Sequence, residues 1–403
     1  MHPGIPPLKI LMVHNYYQQR GGEDESTEEE IRLLKSRDHE VLLFDRHNNE
    51  INTFSFFRKG LLFFESTWSY RSFRRLRSTL REYDADIVHV QNFFPLQSPS
   101  IYYACGSMRT PIVQTLRNYR LLCPSAALFR RGNICEECLT QSLWQGIAHR
   151  CYRDSRMQTA SVAFMIWFHR ALRTWRRQVD SFITLSHFAR EKLIHAGVPG
   201  SKIFVRTNFL AGDVDQRNTE RDGALFVGRL SPEKGIHSLL EAWRTVSLVP
   251  LRIAGEGPER PWVDQFIQSS RLRNVEMLGF IPSRAVSEHL NAAAFLIMPS
   301  TCYETFGRTI LEAYATGTPV IASRLGAIAE IVEDGKTGIL FRAGDPKDLA
   351  AKVAWALTHQ SEMEEMGRNA RKVYEQKYSA EKNYDLLMEI YQKAIEHRKT
   401  RNY

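Results

Sequence analysis

The sequence predicts an α/β protein of two parallel-sheet lobes facing a central cleft, and three observations carry that expectation. The length, 403 residues, exceeds one ordinary core and suits two domains of about 200 residues each. Short apolar runs alternate with helix-like segments almost throughout, an order that builds parallel sheets. The alternation lapses once, in a polar, glycine-containing stretch without periodicity at 209–223, which reads as a linker between domains 1–208 and 224–380.

Taken in order, the first domain offers strands in KILMVHN (9–15), EVLLFDR (40–46), DIVHVQN (86–92), PIVQTLRN (111–118) and SFITLS (181–186). The second offers ALFVGRL (224–230), LRIAGEG (251–257), NVEMLGF (274–280), AFLIMPS (294–300), PVIASRL (319–325) and TGILF (337–341). The tail is helical, and 381–403 is expected to pack back on the first domain as a C-terminal helix with a basic end. Ligands of open parallel sheets lie beyond the carboxyl ends of the strands, so binding residues are sought in the strand-to-helix loops.

Composition narrows the class. An apolar fraction of 43% with 25% charged residues is that of a globular chain. No run approaches the ~18 uninterrupted apolar residues of a membrane span. The start of the sequence lacks the basic flank and apolar stretch of a secretory signal, which predicts a cytoplasmic location and reduced thiols. The net charge of +9 is uneven: residues 1–210 carry 29 Lys and Arg against 19 Asp and Glu, a surplus of 10, while the remainder is nearly balanced. Much of that surplus falls at 53–81, where seven cations and one acid interleave with Phe56, Phe57, Phe63, Phe64, Trp68, Tyr70 and Phe73. Such a segment suits an anionic membrane surface at the inner face of the plasma membrane, or else an amphipathic helix packed on its own domain with a solvated basic face.

Three loops carry the chemistry. After the first strand, Gly21 and Gly22 precede an acidic helix and let backbone amides approach a phosphate or sugar, although a plain tight turn reads the same way. GRLSPEKG (228–235) holds Arg229 and Lys234 at either end of a short loop, where two cations can neutralise a departing diphosphate. TCYETFGRTILEA (301–313) puts Glu304 before a helix N-terminus and Glu312 inside the helix. The free N–H groups around Thr305, Phe306 and Gly307, with Glu304, form a polyol-reading pattern, and Glu312 can accept from a vicinal diol such as ribose.

In sequence order, GRLSPEKG, IAGEGPER, LGFIP, MPSTCYETFGRTILEAYATGTPVIAS, GAIAEIVEDGKTGIL and DPKDLAAKV resemble the nucleotide-sugar lobe of family 4 retaining glycosyltransferases, which have the two-lobed GT-B fold. The resemblance covers about residues 8–395. It implies transfer, with retention, of a sugar from a nucleotide diphosphate donor, UDP- or GDP-linked, to a glycan or polyprenyl-linked acceptor in surface polysaccharide assembly. It also implies roles: Arg229 and Lys234 on the diphosphate, Glu304 on the sugar with the amides of Phe306 and Gly307, and Glu312 on the ribose. Phe280 and Ile281 would meet the base, and Gly22 would line the phosphate pocket. Where relatives often carry a His after the strand matching 111–118, this chain has Arg117, and His89, in DIVHVQN (86–92), reads either as a partner for that contact or as a structural histidine. The resemblance favours same-face attack over a double displacement through Glu304. No DxD-like motif lies near the donor loops, so divalent metal is not expected in the chemistry.

Cys123, Cys135, Cys138 and Cys151 fall in one insertion (119–151) with the spacing C-x11-C-x2-C-x12-C, which suits a structural zinc site. Free thiols, a redox pair at Cys135/Cys138, or His149 in place of one cysteine are the other readings; Cys105 and Cys302 stand apart. Basic charge with a cysteine cluster is also the footprint of a nucleic-acid-binding protein, but that leaves Glu304, Glu312 and the second lobe unexplained, so no nucleic acid partner is expected. GEGPER (255–260) lacks the third glycine of a dinucleotide fingerprint. A nucleotide-sugar epimerase or a phosphorylase of the same fold is the nearest enzymatic alternative.

Overall fold

Residues 9–16 run eight in a row with Ile10 to Val13 fully buried, which is what a central parallel strand covered on both faces requires. In the computed structural model, which describes residues 6–19, 21–210, 221–246 and 248–400, this strand, β1 (Lys9–Tyr16), anchors a six-stranded parallel sheet. The other members are β2 (Glu40–His47), β3 (Ile87–Val90), β4 (Ile112–Leu116), β7 (Ser181–Thr184) and β8 (Ile203–Val205), in the order β2-β1-β3-β4-β7-β8. Between β4 and β7, the cysteine-bearing insertion carries a two-residue antiparallel hairpin, β5 (Phe129–Arg130) and β6 (Asn133–Ile134).

The chain divides into two compact units, one of 1–128, 135–207 and 380–403, the other of 208–379 with 129–134. Within the first, the C-terminal helix Ala380–Thr400 lays Leu387, Met388, Ile390, Tyr391 and Ala394 on Ile10, Met12, Ile87, Val113 and Ile183 of the sheet. Of the expected linker 209–223, residues 211–220 lie outside those described.

The second unit has a sheet of β9 (Ala224–Val227), β10 (Leu251–Ala254), β11 (Val275–Gly279), β12 (Phe295–Met298), β13 (Val320–Ser323) and β14 (Gly338–Phe341), all parallel, in the order β11-β10-β9-β12-β13-β14. Its core gathers Phe226, Leu239, Trp243, Ile253, Phe295, Ile297 and Ile321. The two halves of this sheet run outward from β9 and β12, the order of doubly wound nucleotide-binding sheets.

The basic-aromatic segment forms two helices, α2 (Phe56–Glu65) and α3 (Tyr70–Tyr83), broken at 66–69. Helix α3 packs Leu76 and Leu80 inward while Arg74, Arg75 and Arg77 stay exposed, so its own-domain packing is observed. Phe57, Leu61, Phe64 and Tyr70 remain exposed. No described helix is long and apolar enough to cross a membrane.

Candidate functional site

In the second unit the loops leaving β9 and β12 meet where the strand order reverses, the place where open α/β sheets bind ligands. Pro232 begins a short 3-10 turn ending at Lys234, and Gly235 follows in the left-handed region at φ 74°. A Cβ on Gly235 would lie 1.9 Å from the Pro299 carbonyl oxygen, so only glycine lets this turn press against the loop after β12. The two loops are tied by the Thr301 amide donating to the Glu233 carbonyl at 2.9 Å. This brings the Lys234 Nζ to 2.6 Å from Glu304 Oε1, which also accepts from the Ser300 hydroxyl at 2.8 Å. Burial works against both charges, but each outweighs it for the other: the Lys234 pKa is raised and the Glu304 pKa lowered. Both groups are therefore charged at neutral pH.

Arg229, the other expected cation, is exposed and makes no ion pair among the described residues. Its loop is braced from the next strand, with the Leu230 amide donating to the Glu256 carbonyl and the Glu259 amide to the Leu230 carbonyl, both at 3.0 Å. Gly255, at φ 147°, would place a Cβ 1.9 Å from the Gly228 carbonyl oxygen, so close loop packing explains the glycine of GEGPER without any dinucleotide. The Gly255 amide in turn donates to the Gly279 carbonyl at 2.7 Å, linking in the loop where Phe280 is 74% exposed and Ile281 half-buried.

Gly307, at φ 97°, precedes the helix Arg308–Ala315. Phe306 is buried edge-on against Tyr378, which fixes the backbone at the helix start, and Thr305 is half-buried beside it. Glu312 Oε1 lies 3.1 Å from Arg308 Nε one turn earlier. The ion pairs of Glu304 and Glu312, and the part played by Ser300, are not visible in the motif itself; the serine's place at the end of β12 was the available signal.

In the first unit, Gly21 is the exposed N-cap of α1 (Gly22–Lys35), and its amide donates to the Asp24 carboxylate at 3.3 Å. Asp24 is held by His14 Nε2 at 2.8 Å, both side chains buried. Glu23 accepts from the Tyr17 hydroxyl at 3.0 Å, and burial raises its pKa. In the sequence it is one more acid at a helix start, with no local signal to set it apart.

Arg117 donates from Nε to Gln91 Oε1 at 3.1 Å and approaches Glu30 Oε2 at 3.8 Å, with only 5% of its side chain exposed. Glu30 is fully enclosed, 2.6 Å from Arg206 and 3.0 Å from His89 Nδ1. Burial would raise the Glu30 pKa, but Arg206 outweighs it and holds it well below the usual carboxylate range. Burial lowers the His89 pKa, so His89 is neutral near pH 7 and serves Glu30 as a hydrogen-bond donor, with Arg206 as the opposing charge. The Nδ1–H tautomer fits, since Gln91 Nε2, which can only donate, lies 3.3 Å from His89 Nε2.

In the insertion, the Cys123 and Cys138 thiols are hydrogen-bonded, which lowers the Cys123 pKa to about 5 and raises that of Cys138. None of the six cysteines is in a disulfide. Among the described residues no group of three or more His, Cys, Asp or Glu is placed to hold a metal ion, so the expected set of Cys123, Cys135, Cys138 and Cys151 is not assembled.

Two sequence models of known families match the chain, Glycosyltransferase Family 4 over 20–210 and Glycosyl transferases group 1 over 213–373. An uncharacterized glycosyltransferase of Methanocaldococcus jannaschii is 30% identical over 168 residues, 42% of this chain and 47% of the relative. A glycogen synthase of Mycobacterium tuberculosis is 32% identical over 213 residues, 50% of this chain and 51% of the relative. The chain thus spans about half the length of these curated relatives. The crystal structure of Anabaena HepE in complex with UDP and glucose matches with a TM-score of 0.68 at 20% identity, covering 95% of this chain and 98% of that one. The fold is GT-B, in keeping with the two parallel sheets.

Proposed function

For this chain, which belongs to the glycosyltransferases of the family 4 type, we propose transfer of a sugar from a nucleoside diphosphate donor, with retention, to a glycan or polyprenyl-linked acceptor. The observation that carries the reading is the meeting of Lys234 and Glu304 at the sheet's switch point, a cation and an acid from two different loops. HepE was crystallised with UDP and with UDP-glucose, which supports a uridine diphosphate sugar ahead of a GDP-linked one.

In this scheme the bond between the anomeric carbon and the diphosphate oxygen breaks as the acceptor oxygen bonds the same face, and the acceptor proton passes to the departing phosphate oxygen. Arg229 and Lys234 offset the charge that develops on the diphosphate. Glu304 is engaged by Lys234 and Ser300, which suits a group that positions the sugar hydroxyls better than a nucleophile. Phe280 offers an exposed ring to the base, and Glu312 accepts from the ribose. In the first unit, Arg117 acts through Gln91 and Glu30. A surface polysaccharide acceptor and a peripheral place on an anionic membrane belong to the same proposal, supported by the exposed apolar and basic side chains of α2 and α3. Changing Arg74, Arg75 and Arg77 to Glu should weaken sedimentation with anionic vesicles; unchanged sedimentation rejects docking by this face.

The reading is tested by incubating the protein with UDP-, GDP- and ADP-sugars, following nucleoside diphosphate release, and assigning the product anomer by NMR. Release from no donor, or an inverted product, contradicts it. Glu312→Ala should raise the nucleotide dissociation constant by about tenfold or more with the melting temperature little changed; an unaltered affinity would remove Glu312 from the ribose. Chelator should leave turnover intact, because the charge of the leaving group is met by Arg229 and Lys234. Structural zinc in the insertion is a separate proposal, supported by the Cys123–Cys138 pair and by the electrostatic effect of Cys151 on Cys138. Metal analysis of protein purified without chelator should find one zinc per chain, lost in Cys138→Ser; no zinc in the wild type would end it.

A further inference from the structure

Beyond the carboxyl end of β2 the first unit has an open-sided cavity of about 710 Å³, within the range of small-molecule sites, that the donor reading leaves unused. Four arginines line it. Arg46 is engaged with Glu50 through two hydrogen bonds, from Nε at 2.9 Å and from its terminal nitrogen at 2.6 Å. Arg58, Arg71 and Arg75 have no carboxylate in ion-pair range among the described residues, and Asp45 is the single other acid at the wall. Ring faces hold two of the guanidinium groups, Arg58 lying 4.5 Å from the centroid of Phe54 and Arg75 4.8 Å from that of Phe44. Arg58 Nε is buried without a hydrogen-bond partner. Guanidinium groups without a carboxylate partner suit an anion, which they hold through charge-assisted hydrogen bonds. At the same cavity Gln97 is fully buried, its amide nitrogen donating to the carbonyls of His14 and Phe44, while its Oε1 has no partner. Gln97 therefore braces the wall of the cavity by tying β1 to β2.

The helix that brings Arg58 to the cavity also exposes Phe57, Leu61 and Phe64, at 85%, 58% and 64% accessibility. Their spacing of four and three residues puts them on one stripe, and an exposed apolar stripe next to a cationic pocket fits a ligand that is anionic at one end and apolar at the other.

We propose that this cavity binds the diphosphate of a lipid-linked acceptor, with Arg58, Arg71 and Arg75 on the phosphates and the lipid chain along the Phe57–Leu61–Phe64 stripe. Only the word acceptor rests on the glycosyltransferase reading; the site itself does not. The test is equilibrium binding of the full chain to geranyl diphosphate and to inorganic pyrophosphate, for the wild type, Arg58→Ala/Arg71→Ala, Arg71→Glu, Phe57→Ser/Leu61→Ser and Lys234→Ala. Geranyl diphosphate should bind more tightly than pyrophosphate. Its affinity should fall about tenfold or more in both arginine variants, fall to the pyrophosphate level in the serine variant, and hold in Lys234→Ala. Arg71 is exposed, so Arg71→Glu keeps the test valid even where the double variant folds poorly. Affinity lost in Lys234→Ala but kept in the arginine variants would put the ligand in the donor loops and overturn the site. Equal affinity for both probes would overturn the lipid assignment. Either failure leaves nucleotide binding by the second unit untouched.

Discussion

Lys234→Ala should lower turnover by about 10²–10³. The lysine stands at the end of a turn whose geometry is set by Gly235 and by the Glu233–Thr301 link, so its ammonium is held in place before any ligand arrives. Its raised pKa keeps it charged across the physiological range: the stabilisation it gives is complete below its ordinary value of 10.5 and is lost only as pH rises through the higher folded value. Turnover changes near neutral pH therefore come from other groups. Removing Lys234 also leaves Glu304 largely buried without the ammonium beside it, so the Glu304 pKa should rise and the variant should melt somewhat lower. A Lys234→Ala/Glu304→Gln protein separates the two effects. It should recover melting temperature without recovering turnover, as measured by nucleoside diphosphate release. Recovery of both would make the pair structural and remove Lys234 from the chemistry.

Arg206→Ala should cost about 3–5 kcal/mol in the unfolding of the first unit, since it removes the nearer of the two arginines that face the enclosed Glu30, at 2.6 Å against 3.8 Å for Arg117. The arginine also donates from Nε to the Asn383 carbonyl at 3.1 Å, so the same change loosens the C-terminal helix from the sheet. Because Glu30 has a lowered folded pKa, its contribution is present above the ordinary carboxylate value of 4.5 and is lost as pH falls through the folded value. Stability should thus decline below about pH 4.5 in the wild type and less steeply in Glu30→Gln. Replacing both partners by apolar residues, Glu30→Leu/Arg206→Met, should return much of the loss. Urea denaturation of the wild type and the three variants decides it, and an Arg206→Ala curve matching the wild type would show that the network contributes little.

The parts of the molecule that the sequence made legible are those where the requirement is local. A parallel strand buried on both faces must be a continuous apolar run, so all but one of the strands in the two large sheets stand out as letters. The exception, β8, has three residues at a sheet edge, too few for any period. A glycine that must approach a carbonyl oxygen, as Gly235 does, sits at a fixed offset from its strand, which made the GRLSPEKG loop readable. Pairings across the chain are another matter. Glu30 and Arg206 are 176 residues apart, and nothing in either neighbourhood announces the other. Arg117 sits in a strand-to-helix loop, where a ligand role was expected, yet its side chain turns toward Glu30 and Gln91 because those groups lie on the neighbouring elements. The cysteine spacing spoke of ligands in number but not in space, and the structure joins Cys123 to Cys138 across the insertion. The segment 53–81 read as one amphipathic stretch, whereas the chain breaks it in two and orients the halves differently, one with an exposed stripe and one packed inward.

The central claim is that the loops after β9 and β12 bind the diphosphate of a nucleotide sugar. Its most direct test is the melting temperature of the wild type and of Lys234→Ala with UDP, GDP, ADP, their common sugars and NAD, since a ligand that binds only the folded state must stabilise it. The account predicts that a nucleoside diphosphate, UDP first among them, raises the melting temperature of the wild type and raises that of the variant much less. Stabilisation by none of them, by NAD alone, or equally in both proteins would contradict it.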